Sequence, residues 1–333
     1  MTAKVAFVER KASSFVSIER VFRHVNDTLD ENFDTSFVQL PYDNSLLGLI
    51  KNLLFFKVPK ADIFHVTGHC HYIALRLPAE RTVLTVHDLF FMNNRAGLRR
   101  WILKKLYLDW PLRRAKYVTA ISEATKTEIA KYLPDVASRI TVIENPVDPR
   151  FEYAPAKFNA EKPEILQLGT VINKNVPRLI RALSGMSCLL TIVGNIDENI
   201  AYELEKAKIE HCLIGRLSDD ELVDAYKRAD IVSFCSTYEG FGLPIIEAQA
   251  VGRVVVTSNI SPMKEVAGDG AELVDPFDET SIRAGFDRVI NDAKHRAHLI
   301  EGSRANVARY SAKRAADAYS DIYRQVSADN AKP

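Results

Sequence analysis

Ser236-Thr237-Tyr238-Glu239-Gly240-Phe241-Gly242-Leu243-Pro244-Ile245-Ile246-Glu247-Ala248 is the stretch whose reading decides the fold. The apolar run 229–234 before it reads as a buried strand, the two glycines as a turn, and the residues from Leu243 onward as a helix. Pro244 falls in the first turn of that helix, where its missing N–H forfeits no hydrogen bond. Glycine lets a ligand come close to the backbone, and a helix start offers unpaired amides with a partial positive charge. Strand, turn and helix start therefore make a socket for an anion. Two carboxylates bracket it, Glu239 on the loop and Glu247 one turn inside the helix.

Outward from this stretch, strand-like and helix-like segments alternate in both directions, the pattern of parallel sheets with crossover helices. Upstream, strands are expected at 5–8, 37–40, 63–66, 83–86, 117–120 and 140–143, with helices at 15–29, 98–108 and 122–132. Asn145-Pro146-Val147-Asp148-Pro149 stops that series, and the polar, proline-bearing stretch to Pro163 reads as a linker. A second series places strands at 164–168, 189–193, 212–214, 231–234, 254–257 and 272–274, with helices at 177–183, 202–207, 219–228, 243–251 and 262–266. Everything beyond 280 reads as helical. The expected fold is α/β, two Rossmann-like, doubly wound parallel-sheet domains at 1–154 and 155–310, followed by a terminal helix at 311–333. In such sheets ligands bind beyond the carboxyl ends of the strands, and two facing crevices would form one cleft.

Bulk properties narrow the function classes. The chain has 333 residues, 47% of them hydrophobic and 26% charged, which suits about two globular domains. A net charge of +1 argues against a dedicated nucleic-acid binder. No apolar run approaches the ~20 residues of a membrane span, and residues 1–8 read as a first strand rather than a signal peptide, so a cytoplasmic location is expected. Cys70, Cys188, Cys212 and Cys235 are scattered and read as small core residues in a reducing compartment. Cys70 stands between His69 and His71, which would share a face if the segment were a strand. No further ligand follows at a standard spacing, and no metal is expected.

The spacing Glu-x7-Glu around Gly-Phe-Gly-Leu-Pro resembles the donor-sugar signature of the retaining glycosyltransferases of family 4, which use the GT-B fold. The resemblance implies that Glu247 accepts hydrogen bonds from the nucleotide ribose and that Glu239 lies near the donor sugar, with Gly240, Phe241, Gly242 and Leu243 forming the phosphate socket. The loop Leu168-Gly169-Thr170-Val171-Ile172-Asn173-Lys174-Asn175 leaves a strand and enters a helix, so Gly169 can approach a phosphate and Lys174 can add a full charge. An exposed lysine in an ordinary loop is the alternative, and the match to the family's Gly…Lys-Asn loop favours the phosphate role, with Thr170 and Asn175 beside it. Many relatives carry arginine where this chain has Thr170, which shifts more of the charge onto the amides of Gly242 and Leu243.

His87 closes a strand and resembles the family's strand-end histidine near the donor hexose; Asp88 reads as its support or as a helix cap. Gly215-Arg216-Leu217-Ser218 turns into a helix with Ser218 as N-cap and Glu221 completing a capping box, and by resemblance Arg216 and Leu217 neighbour the base. Residues 258–268 resemble a segment that supports the Glu239 loop. Gly68 and His69 leave another strand and are acceptor-side candidates, a plain loop being the alternative. Relatives usually have a glycine-rich loop after the first strand, where this chain has Glu9-Arg10-Lys11-Ala12-Ser13-Ser14.

The implied activity is transfer of a hexose, mannose from GDP-mannose first, from a nucleoside diphosphate sugar to a glycan or lipid-linked acceptor with retention. No Asp-x-Asp triplet is present to hold a divalent ion, in keeping with a metal-independent enzyme without cofactor. A sugar-nucleotide epimerase of the same fold and a non-catalytic nucleotide-sugar binder are the alternatives. A nicotinamide dehydrogenase is disfavoured, since no Gly-x-Gly-x-x-Gly follows the first strand. The stretch 95–116 interleaves Arg95, Arg99, Arg100, Lys104, Lys105, Arg113, Arg114 and Lys116 with Leu98, Trp101 and other apolar residues. It reads either as an amphipathic helix on an anionic membrane surface, at the inner face of the plasma membrane, or as a core helix with a solvated basic face; 51–57 is a weaker second patch.

Overall fold

The computed structural model describes residues 2–11, 17–93 and 97–331. Arg95, the first residues of the helix expected from 15, and the 12–14 part of the loop after the first strand lie outside the described residues. The chain divides into two compact units, Met1–Pro146 with Ser311–Pro333, and Val147–Tyr310.

The first unit is built on β1 (Ala3–Glu9), β2 (Phe33–Gln39), β3 (Ile63–Val66), β4 (Thr82–Val86), β5 (Tyr117–Ala120) and β6 (Ile140–Val142), in the order β2-β1-β3-β4-β5-β6. The second is built on β7 (Glu164–Leu168), β8 (Leu189–Val193), β9 (Glu210–Ile214), β10 (Ile231–Phe234), β11 (Val254–Ser258) and β12 (Glu272–Val274), in the order β12-β11-β10-β7-β8-β9. All neighbouring strands pair parallel. Inner strands β3, β4, β10 and β11 are buried along their whole length, as strands covered by helices on both faces must be, whereas the edge strands β2 and β9 are largely exposed or alternate. Each sheet reverses its strand order once, between β1 and β3 in the first and between β7 and β10 in the second. Those reversals are the positions at which doubly wound sheets open a crevice.

The last helix, Ala312–Asn330, belongs to the first unit, and its tyrosines explain why. Tyr323 Oη lies 2.6 Å from His65 Nδ1, His65 Nε2 lies 2.7 Å from Thr85 Oγ1, and Thr85 continues to Thr119 at 2.7 Å. One polar line thus crosses β3, β4 and β5 and is closed by the helix. Residues 147–154 pack with the second unit: Ala154 N–H donates to Val251 O at 3.1 Å, and Arg253 Nη2 donates to Ala154 O at 2.6 Å.

Three local readings need correction. His69 and His71 do not share a strand face, because a bend at 68–69 leads into the 3₁₀ turn His71–Arg76. A helix absent from the expected set runs from Leu46 to Phe55. The helix expected at 98–108 is instead Gly97–Lys104, a widened π turn Lys105–Asp109, and Trp110–Arg114. Pro111 accounts for the widening, since proline has no N–H for the carbonyl four residues before it and its ring crowds that carbonyl. The displaced carbonyl, that of Tyr107, instead accepts from His71 Nδ1 at 2.7 Å.

Candidate functional site

The reversal between β7 and β10 brings together the two loops singled out above. Gly169 follows β7 with φ +78°, a conformation that side chains resist, and a Cβ there would meet the Lys174 side chain at 3.3 Å. The chain then makes a short turn, Ile172–Lys174, and Asn175 enters the next helix at φ 61°. Lys174 Nζ donates to Glu239 Oε1 at 2.7 Å and lies 4.5 Å from the centre of the Phe234 ring, at the end of β10. A partly buried charge-assisted bond of this kind contributes roughly 1.5–3 kcal/mol. The phosphate cation and the sugar-side carboxylate of the sequence reading are therefore bonded to each other.

Gly242 starts the helix Leu243–Val251 at φ +125°, and a Cβ there would meet Ile245 at 3.0 Å and Phe234 at 3.5 Å. Glycine is what the turn needs, and as the N-cap residue it brings no capping side chain of its own. Phe241 is buried edge-on against Tyr310 at 5.7 Å, which fixes the loop from below. From β11, Ser258 Oγ donates to Ser236 O at 2.6 Å and Thr257 Oγ1 to Phe234 O at 2.9 Å. Residue 258 thus supports the Glu239 loop directly.

Asn175 spends its side chain inward. Its Nδ2 donates to Cys235 O at 3.0 Å and Pro276 O at 2.7 Å, while its Oδ1 accepts from Arg178 at 2.5 Å. It ties the loops after β7, β10 and β12 together rather than presenting an amide to a ligand. Thr170 likewise donates to Asn195 O at 2.5 Å. Thr170, Asn175, Arg178, Arg181, Asp197 and Thr237 line a cleft of about 420 Å³ beside the Lys174–Glu239 pair, with neither member of the pair on its wall.

Glu247 is buried in the helix Leu243–Val251, and Tyr226 donates to its Oε2 at 2.5 Å. Arg216 stands exposed and Leu217 half-buried in the turn after β9. The capping box is present: Ser218 Oγ accepts from Glu221 N–H, and Glu221 Oε2 accepts from Ser218 N–H at 2.7 Å.

The remaining candidates belong to the first unit. His87 follows β4, and its Nε2 lies 2.7 Å from Thr67 O. A carbonyl can only accept, so that nitrogen carries the proton and Nδ1 is the acceptor. Burial, reinforced by His69, holds the imidazole neutral with a pKa lowered to about 3. His69 Nε2 lies 3.4 Å from Asp88 Oδ2, and its ring centre lies 5.7 Å from that of His87. Burial alone would raise the Asp88 pKa; the hydrogen bond and charge of His69, with the Phe90 amide, bring it down to about 2. Gly68 runs close to Arg10, where an added Cβ would stand 3.5 Å from the Arg10 nitrogen. Arg10 in turn pairs with Glu19 at 2.7 Å.

Two residues of this geometry escaped the sequence reading. Asn173 Nδ2 donates to Tyr238 O at 2.9 Å and Glu239 Oε1 at 3.2 Å, and its own carbonyl accepts from Thr237 N–H at 2.8 Å. Its place directly before Lys174 was the available signal. Tyr226 had none, since it sits on a different helix, Asp219–Arg228, and meets Glu247 only through packing.

Comparison with known proteins agrees with this architecture. Residues 18–151 match the family model Glycosyltransferase Family 4, and residues 150–306 match Glycosyl transferases group 1. The chain belongs to the family 4 glycosyltransferases of GT-B fold. Serotype-specific mannosyltransferase WbdA of Escherichia coli is 26% identical over 280 residues, 73% of this chain and 34% of WbdA. The chain thus spans about a third of that relative's length. O-antigen chain mannosyltransferase B of Escherichia coli is 28% identical over 261 residues, 70% of this chain and 66% of that protein. Among solved structures, sucrose-phosphate synthase from Thermosynechococcus elongatus has a TM-score of 0.77 at 18% identity, covering 98% of this chain and 100% of its own. Anabaena HepE in complex with UDP and glucose has a TM-score of 0.76 at 16% identity, covering 97% and 100%. Likeness at these identities speaks for the fold.

Proposed function

We propose that the protein transfers a hexose, mannose from GDP-mannose first, from a nucleoside diphosphate sugar to a glycan or lipid-linked acceptor, with the anomeric configuration retained and no metal. The observation that carries this reading is the Lys174–Glu239 pair at the β7/β10 reversal, next to the glycine-led start of the helix Leu243–Val251. Cleavage of the donor leaves negative charge on the diphosphate. Lys174 keeps donors beyond the one that Glu239 accepts, and with the amides of Gly242 and Leu243 and the helix dipole it stabilises that charge. Glu239 and Asn173 fix where the ammonium points. Glu247, itself oriented by Tyr226, serves the ribose, Gly169 allows close approach of the phosphates, and Arg216 and Leu217 neighbour the base. His87, neutral across the working range, offers the hexose a hydrogen-bond acceptor, and Gly68 and His69 serve the acceptor side.

The mannosyl choice is supported by the mannosyltransferase relatives and by the Glu-Gly-Phe-Gly-Leu-Pro form of the loop. The absence of an Asp-x-Asp triplet supports metal independence. The lipid-linked acceptor fits peripheral attachment to the cytoplasmic face of an anionic membrane; among the described residues no helix is long and apolar enough to cross one.

Release of GDP from GDP-mannose, followed with and without a mannose-containing acceptor and with the new linkage assigned by NMR, tests the reading. Acceptor-dependent release and an axial-to-axial outcome are expected. An inverted linkage would overturn retention, conversion of the donor without acceptor would favour an epimerase, and binding without turnover would favour a carrier.

A further inference from the structure

Among the described residues of the first unit, the exposed large apolar side chains fall in two stretches. One holds Leu46, Leu47, Ile50, Leu54, Phe55 and Val58; the other holds Leu98, Trp101 and Trp110. Apart from Lys51 and Asn52, every side chain of the helix Leu46–Phe55 is apolar, on its outward face as well as its inward one. Leu49, Leu53 and the following Phe56 pack into the core, while Leu46, Leu47, Ile50, Leu54 and Phe55 stand 44–71% exposed. A helix apolar all round is normally buried, and contiguous exposed apolar surface marks a contact site. The outward face is held in place. Ser45 caps the helix by accepting from Gly48 N–H at 3.1 Å, and Asn52 donates to Tyr42 O at 3.0 Å and Tyr72 Oη at 2.8 Å. Tyr72 stacks edge-on with Tyr107 at 5.4 Å, so both stretches are anchored on the same turn, His71–Arg76.

Charge selects the occupant. From Asn44 to Ala61 the chain carries Lys51, Lys57 and Lys60 and no acidic residue, and Arg99 and Arg100 stand exposed beside Trp101. A second copy of this chain, meeting it through the same patch, would set these cations against themselves. The rest of the stretch 95–116 contributes less than its composition suggests. Lys104 and Lys105 pair with Asp109, Arg113 with Asp135, Lys116 with Glu80 and Asp329, and Arg114 donates to Ala74 O and Leu77 O.

We propose that the helix Leu46–Phe55 is the element that docks on an anionic phospholipid surface. It lies in the interface with Leu46, Leu47, Ile50 and Leu54 among the acyl chains and Lys51 and Lys57 at the headgroups. The inference rests on the peripheral attachment proposed above and is independent of the transfer chemistry.

The full chain is sedimented with vesicles of phosphatidylcholine, with and without phosphatidylglycerol, while its oligomeric state is measured in lipid-free buffer. Wild type is expected to favour the anionic vesicles. Leu47→Gln with Leu54→Gln should weaken that binding on the order of tenfold or more. Lys51→Gln and Lys57→Gln should each weaken it about fivefold, a difference that salt erases. All four positions are exposed, and the variants should melt with wild type and keep turnover on a water-soluble acceptor. Wild type without preference for anionic vesicles would overturn attachment altogether. Preference that survives Leu47→Gln with Leu54→Gln would overturn the helix alone. A lipid-free dimer dissolved by the same pair would assign the face to a second copy. A wild type that binds anionic vesicles but turns over no donor would count against the transfer reading instead.

Discussion

Lys174 and Glu239 share one hydrogen bond, so neither acts alone. On the proposed reading, removing the ammonium would leave an unpaired carboxylate beside the phosphate charge that develops, whereas removing the carboxylate would leave a cation free to move. Lys174→Ala is accordingly expected to lower kcat by about 10²–10³. Glu239→Gln should cost less, and the double variant less than the sum of the two. Steady-state kinetics at saturating donor decide it, and Lys174→Ala at wild-type turnover would end the leaving-group role. Tyr226 offers a cleaner test of Glu247. Tyr226→Phe keeps the ring against Phe151, 5.1 Å away, and deletes the hydrogen bond to Oε2. The bond is made without ligand, so its loss acts on affinity only through the orientation of Glu247, and nucleotide affinity should fall up to about tenfold. If Glu247 serves the ribose, the preference for ribo- over 2′-deoxyribonucleotide should shrink in the variant, and calorimetry showing an unchanged preference would remove that role.

At the scale of elements, what could be read from sequence is what repeats locally. Strand and helix alternation shows in hydrophobic periodicity, and the cap at Ser218 needs only residues three apart. What escaped depends on contacts across the fold. The helix Leu46–Phe55 lacks polar alternation because both of its faces are apolar, so its period was invisible. The π turn at Lys105–Asp109 follows from Pro111 but needed His71 to take the released carbonyl. Asn175 looked like a ligand contact and is a strut, joining the ends of β7 and β10 to the loop after β12. Asn175→Ala puts a side chain without hydrogen bonds into a left-handed conformation and takes the side-chain donor from the buried Cys235 carbonyl, while Pro276 O keeps Arg178 at 3.1 Å. That should cost about 2–4 kcal/mol, read as a lower denaturant midpoint with an unchanged slope. A loss within about 0.5 kcal/mol would show that the strut is dispensable.

At the scale of the whole molecule, the two units differ in how they meet acid. His65, His71 and His87 are fully buried in the first unit, and burial, with smaller contributions from neighbouring histidines, lowers their pKa values to about 3, about 4 and about 3. An unfolded histidine titrates near 6.5. Below that pH the unfolded chain binds protons that the folded unit refuses, so stability is complete above about pH 6.5 and falls as the pH drops towards the folded values. The slope is at most roughly 1.4 kcal/mol per pH unit for each histidine, and with all three in the same window it reaches about 4. Asp88, held at about 2 by His69 and the Phe90 amide against its own burial, adds a loss of the same sign at lower pH. The His65 share is separable because its partners are known. His65→Gln, at the junction of Tyr323 and Thr85, should lower stability at pH 8 and flatten the acid slope by about one third. Amide hydrogen exchange between pH 8 and pH 5, corrected for intrinsic rates, reads the two units independently. Protection in β3, β4, β5 and the helix Ala312–Asn330 should fall with pH while β7, β10 and β11 change little. Equal loss in both units would mean that buried histidines do not set the acid limit of this protein.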